Sequence, residues 1–222
     1  MFSQVKTIKD RFGVEEILER PTPRYNIAPM QNIAVVVQRE KKQLTTMKWG
    51  LIPSWAKDTK IGNQLINARA ETVATKPAFR SAFKKRRCLI LADSFFEWQK
   101  SGVIKIPRLI KLKSEEPFAM AGLYEHWKME SGEFLESCAI VTTKANEFMK
   151  PIHNRMPVIL KPENEDRWLD PELQDTKEIG ELLQPISSKL MQEYEVSTYV
   201  NSPKNDDFLC VRPIDNPISK LL

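Results

Sequence analysis

Seven short apolar or alternating runs, separated by turn-forming residues, constrain this chain more than any other feature of its sequence. They cover residues 33–38, 44–49, 88–92, 104–112, 118–124, 138–142 and 194–200. Run 104–112 alternates, with Ile104, Ile106, Ile110 and Leu112 on one face and Lys105, Leu109 and Lys111 on the other. Such alternation is typical of an antiparallel strand with one buried face. The pattern therefore predicts a mostly antiparallel sheet.

Helical patterns are fewer and flank the predicted strands. Ser3 can cap a first helix that ends at Gly13, and Pro162 suits the start of a later one. Asp175 precedes a third, which leads to the apolar residues Ile179, Leu182 and Leu183. No repeat, low-complexity tract or shift in composition marks a boundary. We predict one α+β domain over residues 1–222.

Composition excludes several classes of protein. Seven glycines in 222 residues disfavour a fold built on glycine-rich phosphate loops, such as a Rossmann enzyme. Cys88, Cys138 and Cys210 are odd in number and far apart, which indicates free thiols in a reducing compartment. With no signal peptide and no long apolar segment, we expect a cytoplasmic protein without a membrane partner. The net charge of +5 fits either a solvated basic surface or a polyanion site.

Two titratable residues are candidates for proton transfer. Glu97 stands among aromatic residues, where burial would raise its pKa, although a surface glutamate on a strand is an equally good interpretation. His153 lies two residues before Arg155, and by itself it is more often a structural or surface histidine. Neither this histidine nor His126 has a partner at metal-ligand spacing, so we predict no metal and no cofactor.

Other polar and aromatic residues suggest a binding surface. Trp49 and Trp55 flank a proline-containing loop that suits base stacking, although both rings could belong to the core. Asn67, Arg69 and Glu71 occupy alternate positions, so an extended backbone would point all three to one face. The basic run 84–87 is more often a solvated surface than a phosphate groove.

Six blocks occur in the order and approximate spacing of the SOS response-associated peptidase (SRAP) family, which the chain resembles over essentially its whole length. They are 25–29 (YNIAP), 49–53 (WGLIP), 67–72 (NARAET), 96–98 (FEW), 140–143 (IVTT) and 153–157 (HNRMP). The resemblance extends to residues 200–206 and implies a barrel-like core with flanking helices.

The resemblance also implies a function. Members of this family recognise abasic sites in single-stranded DNA and cross-link to them through an N-terminal cysteine, forming a thiazolidine. Glu97 and His153 would then move protons, and Asn67 would hold the cross-linked ring. The phosphate contacts would be Arg69, Arg155 and Thr142, and the surfaces for flanking bases would be Pro29 and Trp55. We expect a monomer whose partner is abasic single-stranded DNA.

The start of the chain departs from the family pattern. Family members begin Met-Cys, whereas this sequence begins Met1-Phe2 and has no cysteine before Cys88. No nucleophile is therefore assigned in this numbering, and Met1 stands at the expected place of the cysteine. Two alternatives remain open: a peptidase limited to removing its own initiator methionine, and a non-covalent single-stranded DNA-binding module.

Overall fold

A computed structural model describes residues 1–214 of the chain. Within these residues lie eleven strands and four α-helices. The strands are β1 Glu16–Ile17, β2 Asn32–Gln38, β3 Lys42–Trp49, β4 Asn67–Arg69, β5 Arg87–Ala92, β6 Ser94–Ser101, β7 Ile104–Leu112, β8 Phe118–Lys128, β9 Phe134–Lys144, β10 Arg155–Pro157 and β11 Met191–Glu195. The helices are α1 Val5–Phe12, α2 Arg80–Lys85, α3 Pro162–Leu169 and α4 Thr176–Glu181. The predicted α+β class is confirmed.

Five strands form a barrel-like sheet in the order β3-β2-β5-β8-β9. Their consecutive pairings are antiparallel, and a parallel pairing of Lys48 and Trp49 on β3 with Ser137 and Cys138 on β9 closes the ring. Three short strands extend this sheet: β1 pairs with β3, while β4 and β10 both pair with β9. Because β4, which begins at Asn67, and β10, which begins at Arg155, both pair with β9, these two segments lie close together in the fold.

Residues along the barrel strands alternate between two hydrophobic clusters. On β2, Val36 packs in one cluster and its neighbours Val35 and Val37 in the other, and all three are fully buried. The first cluster also takes in Phe83 of α2 and Trp168 of α3, so helices cover that face. Burial on both faces explains why β2 and β5 are continuous apolar runs rather than alternating ones.

A separate three-stranded sheet has the order β11-β7-β6. The predicted single buried face of 104–112 is wrong, because Leu109 and Ile110 point to opposite faces and are both buried. Ile110 packs in the second barrel cluster, whereas Leu109 packs with Val196 and Val200. The central strand of this small sheet is therefore covered on both sides, while its end at Ile104 is exposed.

Some local predictions are confirmed and others are wrong. Helix α3 begins at Pro162, and Asp175 caps α4 by accepting hydrogen bonds from two backbone amides. Ser3, however, does not cap α1, because its hydroxyl donates to Asp93 instead. The predicted strand over 194–200 ends at Glu195, after which Thr198–Asn201 forms a 3-10 turn.

The prediction of one domain over 1–222 includes residues 215–222, which lie outside the described part of the chain. In the described part, no helix is both long enough and apolar enough to cross a membrane.

Candidate functional site

Glu97 lies on β6 and is held beside His153. The β6–β7 hairpin places Glu97 opposite Arg108, and a tight turn at Gly102, which has a φ of 60°, connects the two strands. Glu97 Oε1 is 3.9 Å from Nδ1 of His153. Burial raises the pKa of Glu97, and the nearby imidazole partly opposes that rise. The structure therefore pairs the two predicted proton-transfer residues, although they are far apart in the sequence.

The main chain of Arg155 fixes the imidazole ring of His153. The Nδ1 atom lies 3.0 Å from the carbonyl oxygen of Arg155 and 3.2 Å from its backbone nitrogen. A neutral ring can accept the Arg155 N–H at Nδ1, and a protonated ring can donate Nδ1–H to the carbonyl. The ring has a hydrogen-bond partner in either state, which suits a group that takes up and releases a proton.

Strand β9 connects this pair to the other predicted polar residues. Asn67 and Arg69 of β4 lie opposite Ile140 and Thr142 of β9, and both of their side chains are exposed. Ala68 between them is fully buried, so the amide and the guanidinium share the outer face as predicted. Within residues 1–214, Arg69 forms no ion pair, which leaves its charge available to a ligand.

Arg155 is bound by groups of the protein itself. Its two terminal nitrogens donate to the carboxylate oxygens of Glu71 at 2.9 and 3.0 Å. Its Nη2 also donates to the carbonyl and the hydroxyl of Thr142, at 2.6 and 3.2 Å. The hydrogen bond from Arg155 is the main cause of the lowered pKa of Glu71. The two predicted phosphate-binding arginines therefore differ, since one has open donors and the other is occupied.

A cavity of about 270 Å³ lies beside the Glu97 strand. Its lining includes Met1, Pro29, Trp49, Trp98 and Asn201. Pro29 is exposed and occupies the second position of a turn whose third residue, Met30, has a φ of 71°. Proline followed by a positive φ is the pattern of a type II turn. This turn places the proline ring at the cavity, where a planar group could stack against it.

The amino-terminal segment is anchored at the same cavity. The buried carboxylate of Asp93, directly before β6, accepts hydrogen bonds from the backbone nitrogens of Phe2 and Ser3 at 2.6 and 3.1 Å. The ammonium of Met1 donates to the carbonyl of Arg24 at 2.9 Å, and burial lowers its pKa. The sequence pattern missed Asp93 as an anchor. Its only signal was a carboxylate directly after the apolar run 88–92.

The two tryptophans of the 49–55 loop lie in different surroundings. Trp49 is half-buried against the second cluster, lines the cavity, and donates its Nε1–H to the carbonyl of Ile66, which supports the core interpretation. Trp55 is 60% exposed. No hydrogen bond within the described residues links its ring to the other predicted side chains. Its assignment as a base-stacking surface stays a prediction.

The basic run 84–87 is largely structural. The buried guanidinium of Arg87 donates to five backbone carbonyls, those of Phe83, Lys84, Trp168, Asp170 and Leu173. Arg86 pairs with the buried carboxylate of Glu125. Only the two lysines of the run point to solvent. This run therefore joins α2 to the residues around α3 and adds little to a DNA surface.

The three cysteines are buried, and the raised pKa values of their thiols make them poor nucleophiles. Cys88 and Cys138 are fully buried, and burial raises the pKa of both thiols well above the ordinary value. Burial also raises the pKa of Cys210. Among residues 1–214, no cluster of histidine, cysteine and carboxylate side chains is arranged to hold a metal ion. Glu97 and His153 remain the candidates for acid–base chemistry at this site.

Comparisons with known proteins identify the family of this chain. The family model described as SOS response associated peptidase (SRAP) matches residues 1–203. The abasic site processing protein YoqW of Bacillus subtilis is 48% identical over 210 residues, covering 93% of this chain and 94% of the relative. The abasic site processing protein HMCES of Gallus gallus is 32% identical, covering 90% and 69%. A crystal structure of a Bacteroides thetaiotaomicron protein superposes with a TM-score of 0.77 at 34% identity, covering 83% and 82%. The chain thus belongs to the SOS response associated peptidase family.

Proposed function

We propose that this protein recognises abasic sites in single-stranded DNA and that, with a cysteine in place of Met1 or directly before it, it forms a covalent cross-link with them through that N-terminal cysteine. The observation that carries the proposal is the pairing of Glu97 with His153, 3.9 Å apart, with the pKa of Glu97 raised by burial. The names of the relatives YoqW and HMCES support abasic DNA as the partner. DNA as partner and three free cysteines fit a cytoplasmic protein, which we expect to act as a monomer.

The chemistry requires two nucleophiles on one residue. An abasic sugar in its open form is an aldehyde. The α-amine of an N-terminal cysteine adds to the carbonyl carbon, and loss of water gives an imine. The cysteine sulfur then adds to the imine carbon and closes a five-membered thiazolidine, while the imine nitrogen takes up a proton. An internal cysteine lacks the α-amine, and Cys88, Cys138 and Cys210 are buried.

Each proton transfer in this sequence can be assigned to a side chain. Opening of the sugar ring and loss of water both need a group that gives and takes protons, and partial burial raises the pKa of Glu97 toward the range in which a carboxyl group can do both. His153, whose Nδ1 lies 3.9 Å from the Glu97 carboxylate, would assist these transfers, because both states of its ring find a partner in Arg155. Asn67 would hold the product ring, and Arg69, Arg155 and Thr142 would contact the phosphates. Pro29 and Trp55 would stack on the flanking bases.

The position of the amino-terminal segment supports delivery of such a nucleophile. Asp93 anchors Phe2 and Ser3 directly before the strand that carries Glu97. Met1 lines the cavity together with Pro29 and Trp98. A cysteine in place of Met1, or directly before it, would therefore start from the edge of this cavity.

A denaturing gel tests the proposal. Two versions of the protein, one with cysteine replacing Met1 and one with cysteine preceding it, are incubated with a single-stranded oligonucleotide that carries one abasic site. We expect a shifted band that survives denaturation in at least one version, and none with the sequence that begins Met1-Phe2. The absence of a band from both cysteine-first versions would refute the cross-linking function.

The same samples distinguish the two alternative functions. Binding of unmodified and abasic oligonucleotides without any covalent band would identify a non-covalent module, whose affinity should fall as salt rises. For self-processing, the intact mass of a protein expressed with Met before the cysteine reports whether the methionine is removed. If a protein that keeps this methionine still cross-links fully, self-removal is not required for the reaction.

A further inference from the structure

The carboxylate of Glu71 occupies the edge of the Arg155 guanidinium that carries its two terminal nitrogens. Two parallel N–H to oxygen bonds, at 2.9 and 3.0 Å, form the fork-to-fork arrangement that arginine also uses to bind phosphate. The hydroxyl and carbonyl of Thr142 take up Nη2 of the same guanidinium. A DNA phosphate could reach this fork only by sharing it with Glu71 or by displacing it.

Glu71 is placed so that it can leave. It lies in the turn after β4, and its side chain remains 41% exposed while paired. A second bidentate pair within the described residues, between Arg11 and Glu165, is of a different kind, because the side chain of Glu165 is only 6% exposed and the pair joins α1 to α3. A solvent-exposed carboxylate recovers its hydration when it turns away, so its ion pair is weak.

The surroundings of the pair favour an anion from outside. Lys144 lies opposite Arg155 in the β9–β10 register and lowers the pKa of Glu71 further. Arg69, which forms no ion pair within residues 1–214, lies opposite Thr142. Nε of Arg155 is buried and, in the described part of the chain, has no hydrogen-bond partner. Two cations, Arg155 and Lys144, thus act on one exposed carboxylate, and Arg69 lies on the neighbouring strand β4.

We propose that Glu71 is an internal competitor for DNA: its carboxylate occupies the position of a backbone phosphate at Arg155 and turns out to solvent when a strand binds. The proposal rests on the proposed function, since it takes single-stranded DNA as the ligand. Its effect is to weaken binding to any strand. Productive engagement then depends more on contacts that only an abasic site can make at Glu97 and His153.

Affinity for an unmodified single-stranded oligonucleotide, measured by fluorescence anisotropy at fixed salt, tests this role. In Glu71→Gln the side chain keeps its size and loses its charge, and we expect affinity to rise about fivefold, the equivalent of one exposed ion pair. Glu178→Gln is the matched control, because Glu178 is also a partly exposed partner of an arginine, Arg167, but lies on α4. We expect no change for the control.

A double-mutant cycle separates competition at Arg155 from a general loss of negative charge. If Glu71 competes for this guanidinium, Glu71→Gln should increase affinity in the wild-type background and have no effect in an Arg155→Gln background. A gain that persists without Arg155, or unchanged or weaker binding by Glu71→Gln, overturns the proposal. If the wild type binds DNA and cross-links in its cysteine-first form, such a result leaves the proposed function intact. If neither the wild type nor Glu71→Gln binds DNA, both proposals fail.

Discussion

Glu97 and Arg155 belong to the same candidate site, but their surroundings differ. Glu97 is half-buried, and its carboxylate lies 3.9 Å from Nδ1 of His153. Arg155 is paired with a carboxylate and is also bonded to Thr142. A desolvated acid with a distant partner can exchange a proton, whereas a saturated guanidinium mainly holds structure until another anion replaces its partner. These surroundings suit Glu97 to proton transfer and Arg155 to the exchange of one bound anion for another.

The largest expected effect comes from removing the acid. In a cysteine-first protein, Glu97→Gln should slow cross-linking about 100- to 1000-fold, the range typical of a lost general acid or base. Single-turnover rates from a quenched denaturing gel measure this effect, and affinity for DNA should stay unchanged. Glu147→Gln is the control, because Glu147 is a highly exposed glutamate in the loop before His153. A rate within threefold of wild type would remove Glu97 from the mechanism.

Weakening the hydrogen bonds by which Asp93 anchors the amino-terminal segment should have a smaller effect on the cross-linking rate. Asp93→Asn keeps the shape of the side chain but weakens its bonds to the backbone of Phe2 and Ser3. We expect cross-linking to slow about tenfold, in line with the loss of a charge-assisted hydrogen bond. Hydrogen exchange at the two amides should become faster. Faster exchange with an unchanged cross-linking rate would show that the anchor does not position the nucleophile.

Arg69 and Arg155 should differ in their contribution to the free energy of unfolding, although both should contribute to DNA affinity. Arg69→Ala should weaken binding of single-stranded DNA severalfold and leave the free energy of unfolding unchanged, because its side chain contacts solvent. Arg155→Ala should weaken binding similarly and also lower the free energy of unfolding by about 1 kcal/mol, since Thr142 and Glu71 lose a partner. Anisotropy and urea denaturation measure both quantities. Equal stability of the two variants would contradict the structural role of Arg155.

The smallest expected effect is on stability and depends on pH. A carboxyl group whose pKa is raised in the folded state destabilises the fold at any pH above its unfolded pKa, because its charged form is buried. Glu97→Gln should therefore melt higher than wild type at pH 7, by about 2–4 °C for each kcal/mol gained. The difference should disappear below about pH 3, where the glutamic acid is neutral in both the folded and the unfolded state. Equal melting temperatures at pH 7 would indicate that Glu97 is well solvated.

Much of the fold could be predicted because it depends on local patterns. Strand β7 begins and ends as predicted, and the starts of α3 and α4 follow from Pro162 and Asp175. The sequence pattern did not predict strand β6, which carries Glu97, because its polar and aromatic residues do not alternate along the chain. In the structure, residues 94–99 are all half-buried. The last predicted strand ended early, because Ser197 caps a 3-10 turn that the apolar pattern did not indicate.

The candidate site depended less on local pattern and more on pairings between distant segments. The alternation predicted a shared face for Asn67, Arg69 and Glu71; this is confirmed for the first two, whereas the extended backbone ends at Arg69 and Glu71 lies in the turn that follows. The contact between Glu97 and His153 could not be derived from spacing, because β6 and the loop before β10 meet only in the folded chain. The pairing of Arg155 with Glu71 was likewise hidden, since it joins the ends of two strands that both pair with β9. The family resemblance grouped Glu97 with His153, but it did not indicate that Arg155 pairs with Glu71.

Titration of the Glu97 carboxyl carbon, followed by nuclear magnetic resonance in wild type and in His153→Gln, tests the central claim most directly. The measurement uses the chain as it stands and needs no cysteine or DNA. We predict that Glu97 titrates above the ordinary range of a glutamate, and that its pKa rises further in His153→Gln, where the opposing imidazole is gone. An ordinary pKa for Glu97 that does not respond to loss of His153 would contradict the account.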